Sequence, residues 1–583
     1  MPWAIATVGL AVAASGCAGL PHYAPAAHTY YISQNGHDGA SGTSADTAWH
    51  SLARVERVRL QPGDRILLQG GARFSGTLTV AAGDAGRTGQ PVVIGSYGDG
   101  KAILESSGDG IDVHNTGGVD IRDLTITGTG APYAHGTGIN LYSDLHGGTR
   151  PNHVTISDVD VSSFQTGIAI GAAGDTGFSD VVISQARLHG NEDSGLKTYG
   201  PAFDTGHPAY AHQNIDIEAV EVYDNLGNPS VVAHSTGNGI TLGSVRNAAV
   251  RGSSAHDNGS NSAPLGHFGP VGIWTYNSTG VVIEHNTAYD NHTASLADGA
   301  GFGLDDNVSS STIQYNLAYH NDGPGMYAYT DTPSNLYTGD TIRFNISDDN
   351  GRRLPQNGGL GVYGTYISGL EVYQNTVVMA GTGGQAPALL VSGSQSGITI
   401  RNNILATDGS PVATVLGLTA SHVALQGNDY YAPSGLWYLI WSSTTYTNLA
   451  DLRTATGEEL LSGQPTGLAV DPCFSGGRLP IIRSPADAEA VVPSCAALVG
   501  KGLDLEKLFQ TSTGPTDYFG HVLSTPPPVG ASNPRVAGSN SATGSASLPV
   551  YSSRQTPAWS RQGQHPDGAQ GTAGTRRQTQ LAG

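Results

Sequence analysis

One short stretch holds the candidate acids Asp298, Asp305, Asp306 and Asp331, with Glu284 a little before them. Two carboxyl groups about 5–9.5 Å apart, one protonated and one ionised, are what hydrolysis of a glycosidic bond requires. Asp305 and Asp306 are adjacent, so on a regular strand they face opposite sides. The better pairs are Asp305 with Asp298 or with Asp331. Asp306 is expected at a bend or buried, where its pKa would rise. A second chemistry, β-elimination at a uronate, needs a base and a cation that neutralises the sugar carboxylate. Lys197 is the candidate residue for this chemistry, the only lysine between Lys101 and Lys501. Epimerisation would add a second acid or base, which His256, His267 or His292 could supply from loops rimming the same groove. A calcium ion could be taken up near Asp298, Asp305 or the Asp348-Asp349-Asn350 turn.

A strand pattern is what could bring these residues together. Segments such as GPVGIWTYN (269–277), DGAGFGLDDN (298–307) and PGMYAYTD (324–331) share the form Gly–apolar–x–apolar–x. Alternation buries the apolar positions and turns each x outward. The first outward column reads Asn140, Ala169, Lys197, Thr241, Trp274, Gly303, Tyr327. The second reads Tyr142, Gly171, Tyr199, Gly243, Tyr276, Asp305, Tyr329. Sugar rings stack on exposed aromatic faces, so Tyr199, Trp274, Tyr276, Tyr327 and Tyr329 are candidate substrate contacts. An aromatic ladder that only stiffens the sheet is the structural alternative.

The columns require the chain to return to the same wall at regular intervals. β-Branched anchors recur at Ile121, Ile156, Ile183, Ile217, Val250, Ile283, Ile313, Ile342, Val372 and Ile400. The intervals run from 27 residues (Ile156 to Ile183) to 35 (Ile121 to Ile156). Three short strands and three turns need roughly that length, so one repeat is one coil of a solenoid. Asn191, Asn225, Asn258, Asn291, Asn321 and Asn350 each stand eight residues after an anchor. Asn286, Asn316, Asn345, Asn375 and Asn403 stand three after. Stacked Asn side chains can hydrogen-bond along the axis while their own backbone takes the left-handed conformation. The expected fold is all-β: a right-handed parallel β-helix of about 10–12 coils with caps at both ends.

The ends and the composition agree with this. Residues 28–90 are expected to hold the N-terminal cap and first coil, with a helix at 47–59 presenting Trp49, Leu52, Val55 and Val58. The repeat spans 91–430 and a C-terminal capping region 431–525, with a helix at 447–455 and an extended piece at 508–523. The Ser/Gly/Pro/Gln-rich segment 527–583 is expected to be disordered. Glycine accounts for 82 of 583 residues, as many tight turns would require. A formal charge of −20 disfavours nucleic acid and anionic lipid as partners and makes a polyuronate an awkward substrate. Residues 1–17 read as an apolar secretion segment, although no basic residue precedes it. Cys473 and Cys495 would then lie in an oxidising compartment and are expected to pair, unlinked buried thiols being the alternative.

Two resemblances sharpen these expectations. Ala14-Ser15-Gly16-Cys17 is similar to a bacterial lipoprotein box, which implies a lipid on Cys17 and anchoring at the outer membrane or cell surface; ordinary signal cleavage is the other outcome. The stretches HDNG (256–259), GPVGIWTYN, DGAGFGLDDN and IQYNLAYHNDGPGMY (313–327) resemble secreted bacterial right-handed β-helix repeat proteins. Those are related in fold to pectate lyases, polygalacturonases and alginate-modifying enzymes. The resemblance covers roughly residues 28–525, and the strand–helix–PGD start resembles the opening cap of such proteins. It implies an exported, monomeric, carbohydrate-active protein that cleaves a polysaccharide on one face, as a hydrolase or a lyase. Family members often carry an acid where this chain has Gly303. The basic RIK by which polygalacturonases hold a uronate has no counterpart. A non-catalytic glycan-binding module at the cell surface is the competing expectation.

Overall fold

A computed structural model describes residues 27–535 except 267, 335, 381–385 and 418–421. The secretion segment with Cys17, His267 and the tail beyond 535 therefore lie outside the described residues.

The chain winds through three strands per coil, and like strands of successive coils pair in parallel. The first sheet runs from Thr29–Ile32 to Val423–Gln426, the second from Arg73–Ser75 to Asp429–Tyr431, and the third from Leu78–Val80 to Leu439–Trp441. In two early coils, Val119–Gly128 and Asn152–Ser162, the first two strands are continuous and bend at Asp123 and Asp158, which take φ of 56° and 51°. The architecture is a right-handed parallel β-helix of about 13 turns.

The anchors pair in the expected order. Ile121 stands opposite Ile156, Ile156 opposite Ile183, and so on through Val372 opposite Ile400. All are essentially inaccessible and line one core running from Ile32 to Leu452. The column also extends upstream through Ile94, Ile66 and Tyr30. The segment taken as cap and first coil is thus more of the same helix, which accounts for the extra turns.

Both Asn ladders form. In the first, each Nδ2 from Asn191 to Asn321 donates to the Oδ1 of the Asn one coil on, at 2.8–3.0 Å. The second runs from Asn286 through Asn403 to Asn428 and ends on the buried Glu459 carboxylate. Most of these Oδ1 atoms also accept a backbone N–H, as Asn345 Oδ1 does from Asn316 N at 2.9 Å. No buried amide in the stack is left wanting, which is what permits so many polar side chains inside. One expectation fails: the left-handed residue is not the Asn but the one before it, including Asp224, Asp257, Asp290, His285, Tyr315 and Phe344. The Asn side chain can turn into the core only if the kink lies just ahead of it.

The ends differ from the sequence reading in detail. Residues 45–57 form two 3₁₀ segments, Ala45–Thr47 and Leu52–Arg57, rather than one α-helix. Trp49, Leu52 and Val55 recur every three residues, which is the 3₁₀ period, and all three are buried. At the other end Leu439–Trp441 pairs antiparallel with Thr444–Tyr446, and helix α1 (Leu449–Thr456) buries Leu449 and Leu452 over the last coil. The chain then returns along the flank of the second sheet. A short helix α2 (Leu505–Phe509) precedes an extended run. Arg343 and Tyr373 both donate to Ser512 O, and Tyr315 to Thr516 O. Residues 527–535, expected to be disordered, belong to this strap: Val529 and Ala531 are buried, and Ala531 N donates to Thr376 Oγ1. Cys473 and Cys495 are bridged across it, with Cα atoms 5.2 Å apart.

Candidate carbohydrate-binding face and acidic cluster

The third sheet carries both outward columns in the expected register. Asn140, Ala169, Lys197, Thr241, Trp274, Gly303 and Tyr327 stand opposite one another in turn. In the second column Gly243 faces Tyr276, and Asp305 N donates to Thr275 O at 2.9 Å, which keeps Asp305 beside Tyr276. Glycines make room for rings. A Cβ at Gly171, Gly243 or Gly303 would come within about 2.5 Å of the ring of Tyr199, Tyr276 or Tyr327 one coil on. Such a column alternates bare backbone with flat aromatic surface.

Trp274 stacks on Tyr276 with centroids 5.2 Å apart, and its Nε1 donates to Asn238 Oδ1 at 3.1 Å. Asn238 thus fixes the indole. Tyr199, Trp274, Tyr276 and Tyr329 are half-buried with part of each side chain open to solvent. Tyr327 differs from expectation: it is buried, stacked under Tyr363 at 5.8 Å. Tyr363 and Asn238 were absent from the sequence reading. Tyr363 was legible, because GLGVY (359–363) repeats the strand pattern one coil further.

The acids divide by environment. Asp305 accepts from Tyr327 Oη at 3.0 Å and from Asp306 N at 2.7 Å. Burial and the nearby Asp306 charge raise its pKa to about 7, with these two hydrogen bonds opposing the shift. Asp298, at φ 53° in the turn before strand Ala300–Leu304, is held well above the usual carboxylate range by burial and then by the Asp305 charge. Burial, and after it the charges of Asp298 and Asp305, raise both Tyr363 and Tyr327, so one cluster contains all four. Asp306 sits at a bend. Its Oδ1 accepts from Thr330 Oγ1 at 2.6 Å and from the backbone N–H groups of Asp331 and Thr332, fixing that turn. Asp331 is exposed and accepts from Tyr329 Oη at 2.8 Å and Thr365 Oγ1 at 2.9 Å.

Other candidates are placed elsewhere or already engaged. Lys197 is on the face, but its ammonium donates to Asp193 Oδ2 at 2.5 Å and lies over the Tyr199 ring. His256 does not rim the groove. It lies on the second sheet, stacked between Tyr223 and Tyr289, because strand Ser254–His256 belongs to that side of the coil. Glu284 lies on the first sheet and pairs with Arg251. His292 occupies the turn toward the third sheet, and a hydrogen bond with Asp322 raises its pKa. Asp348 accepts from Ile482 N, Asp349 pairs with Arg352, and Asn350 ends a ladder, so that turn does not present a calcium shell. Among the described residues no three His, Cys, Asp or Glu side chains converge as a metal-ligand set.

Fold and face together define a right-handed β-helix with an aromatic and acidic wall. Residues 210–405 match the family model described as a right handed beta helix region. A lacto-N-biosidase of Bifidobacterium longum is 37% identical over 86 residues, which is 14% of this chain and 5% of that protein's length. Among solved structures, a GH136 lacto-N-biosidase from Eubacterium ramulus aligns with a TM-score of 0.48 and 16% identity, over 76% of this chain and 68% of that one. A pectate lyase aligns with a TM-score of 0.36 and 14% identity, over 87% of this chain and 96% of that one.

Proposed function

We propose that the protein is an exported carbohydrate-active enzyme that hydrolyses a glycosidic bond of a weakly charged glycan on the third sheet. One observation carries this: Asp298 and Asp305 share a half-buried cluster with Tyr327 and Tyr363 yet have unlike surroundings. Burial raises both acids, but Asp305 receives two hydrogen bonds that favour its ionised form and reaches about 7. Asp298 receives only one, from the Gly269 backbone, and is held well above the usual carboxylate range. Pairs of acids with unlike environments divide into proton donor and carboxylate. In this reading Asp298 protonates the departing sugar oxygen, and the Asp305 carboxylate acts as base or nucleophile. Trp274, Tyr276, Tyr199 and Tyr329 offer ring faces for the sugars. The short stretch shared with a protein named lacto-N-biosidase supports a glycan as substrate. The Cys473–Cys495 bridge supports export.

Two features weigh against elimination. Lys197 is already ion-paired, and the −20 charge repels polyuronates. A binding-only module remains a second reading because Tyr327 occupies the space over Gly303, where the resemblance places an acid. Incubation with a panel of neutral and acidic polysaccharides separates the three. New reducing ends without absorbance at 235 nm are expected. Absorbance at 235 nm that is lost in Lys197→Ala would establish a lyase, and retention on a glycan without either signal would establish a module.

A further inference from the structure

Downstream of Asp331, at the corner where the third sheet turns into the first, the surface holds a depression of about 390 Å³. It is lined by Thr338, Thr365, Tyr366, Ile367, Ser368 and Ser396, among others. Ile367 is buried and forms the floor, whereas Thr338, Ser368 and Ser396 are exposed. These three pair across successive coils, Thr338 with Ser368 and Ser368 with Ser396. Their hydroxyls therefore repeat at the inter-strand spacing of about 4.8 Å, close to the length of one pyranose unit. Tyr366 stands at the edge with 41% of its surface exposed, a large amphipathic ring that the fold does not bury. Gln395, buried between the lining residues Ser394 and Ser396, keeps Oε1 without a partner. The depression is continuous with the acidic face, because Thr365 is both part of its lining and a hydrogen-bond donor to Asp331 Oδ1 at 2.9 Å.

From these features we infer that the depression is a second binding site, which takes the downstream segment of the same glycan chain. Tyr366 stacks on one sugar and the hydroxyl column hydrogen-bonds the next ones. The inference rests on the proposed glycan specificity, but it concerns binding and not turnover. It makes the substrate an extended, hydroxyl-rich chain lying along the helix axis. A carboxylated chain would meet no cation among these lining residues.

Affinity gel electrophoresis against galactan, xylan, mannan and mixed-linkage glucan tests it. At least one polymer is expected to retard the wild type. Tyr366→Ala should weaken that retardation about tenfold, the worth of one lost ring stack. Ser368→Tyr, which fills the depression, should do the same, and Tyr366→Trp should retain affinity. Disaccharides of the same glycan should bind wild type and variants alike. The site is refuted if no polymer retards the wild type, or if both Tyr366→Ala and Ser368→Tyr match it. Turnover measured in parallel keeps the two readings apart. Weakened polymer binding with full activity in Asp305→Asn would remove the catalytic assignment and leave this site standing.

Discussion

The ring of Tyr327 lies flat over the backbone of Gly303, so close that a Cβ there would stand 2.5 Å from its edge. The same ring carries the hydroxyl that donates to Asp305. Glycine at 303 is thus a condition for the Tyr327–Asp305 contact. Gly303→Ala should push the ring aside, cost about 1–3 kcal/mol by overpacking, and lower kcat/KM more than stability alone explains. Thermal denaturation and kinetics on the same samples check this; unchanged kinetics would show that the contact is idle.

Tyr327→Phe keeps the ring and removes one hydrogen bond. That bond favours the ionised Asp305, so its loss should raise a pKa already at about 7. The rising limb of the pH profile of kcat/KM, set by ionisation of Asp305, should therefore move to higher pH. A limb that stays in place would mean that Asp305 is not the group seen in the profile.

The Asn stack should be brittle. Asn316→Ala removes the side-chain partner of Asn286 N and of the Ile283 carbonyl and leaves Asn286 Nδ2 with only its bond to Val250 O. Each buried orphan costs about 1–3 kcal/mol, so a loss of at least ~2 kcal/mol is expected by denaturant titration. A change below about 0.5 kcal/mol would show that the ladder is ornamental.

Buried acids give the fold a pH dependence of definite sign. Burial raises Asp340 to about 8, Asp429 to about 7 and Glu458 to about 8. Unfolded, such groups ionise near pH ~4. Between about pH 4 and pH 8 the native state therefore holds protons that the unfolded chain has lost, and stability falls as pH rises. Differential scanning calorimetry should show Tm dropping from pH 5 to pH 8. Asp340→Asn should flatten the slope; a Tm that rises over that range would contradict the assignment.

How much of this could be read in the chain follows from geometry. Coil length and two-residue alternation are local properties, so Ile121 to Ile400 and the column from Lys197 to Tyr327 were legible without coordinates. The position of Tyr363 in the next coil was legible too. That its ring would lean over Tyr327 and bury it was not, because that depends on side-chain packing between coils. His256 was misplaced for a related reason. Its strand, Ser254–His256, follows Val245–Arg251 after a two-residue corner, whereas a long loop separates it from Val271–Tyr276, and nothing in HDNG says on which side of the coil the imidazole falls. The return of residues 468–535 along the second sheet depends on Tyr315, Phe344 and Tyr373 forming an apolar flank, which no single repeat displays.

The most direct test is the turnover of Asp305→Asn on a glycan that the wild type cleaves, with affinity measured alongside. The isosteric change keeps an acceptor for Tyr327 and removes the charge. A fall in kcat of about 10²–10⁴ with affinity nearly unchanged is the predicted result. Turnover within a factor of about two of wild type would contradict a catalytic role for Asp305.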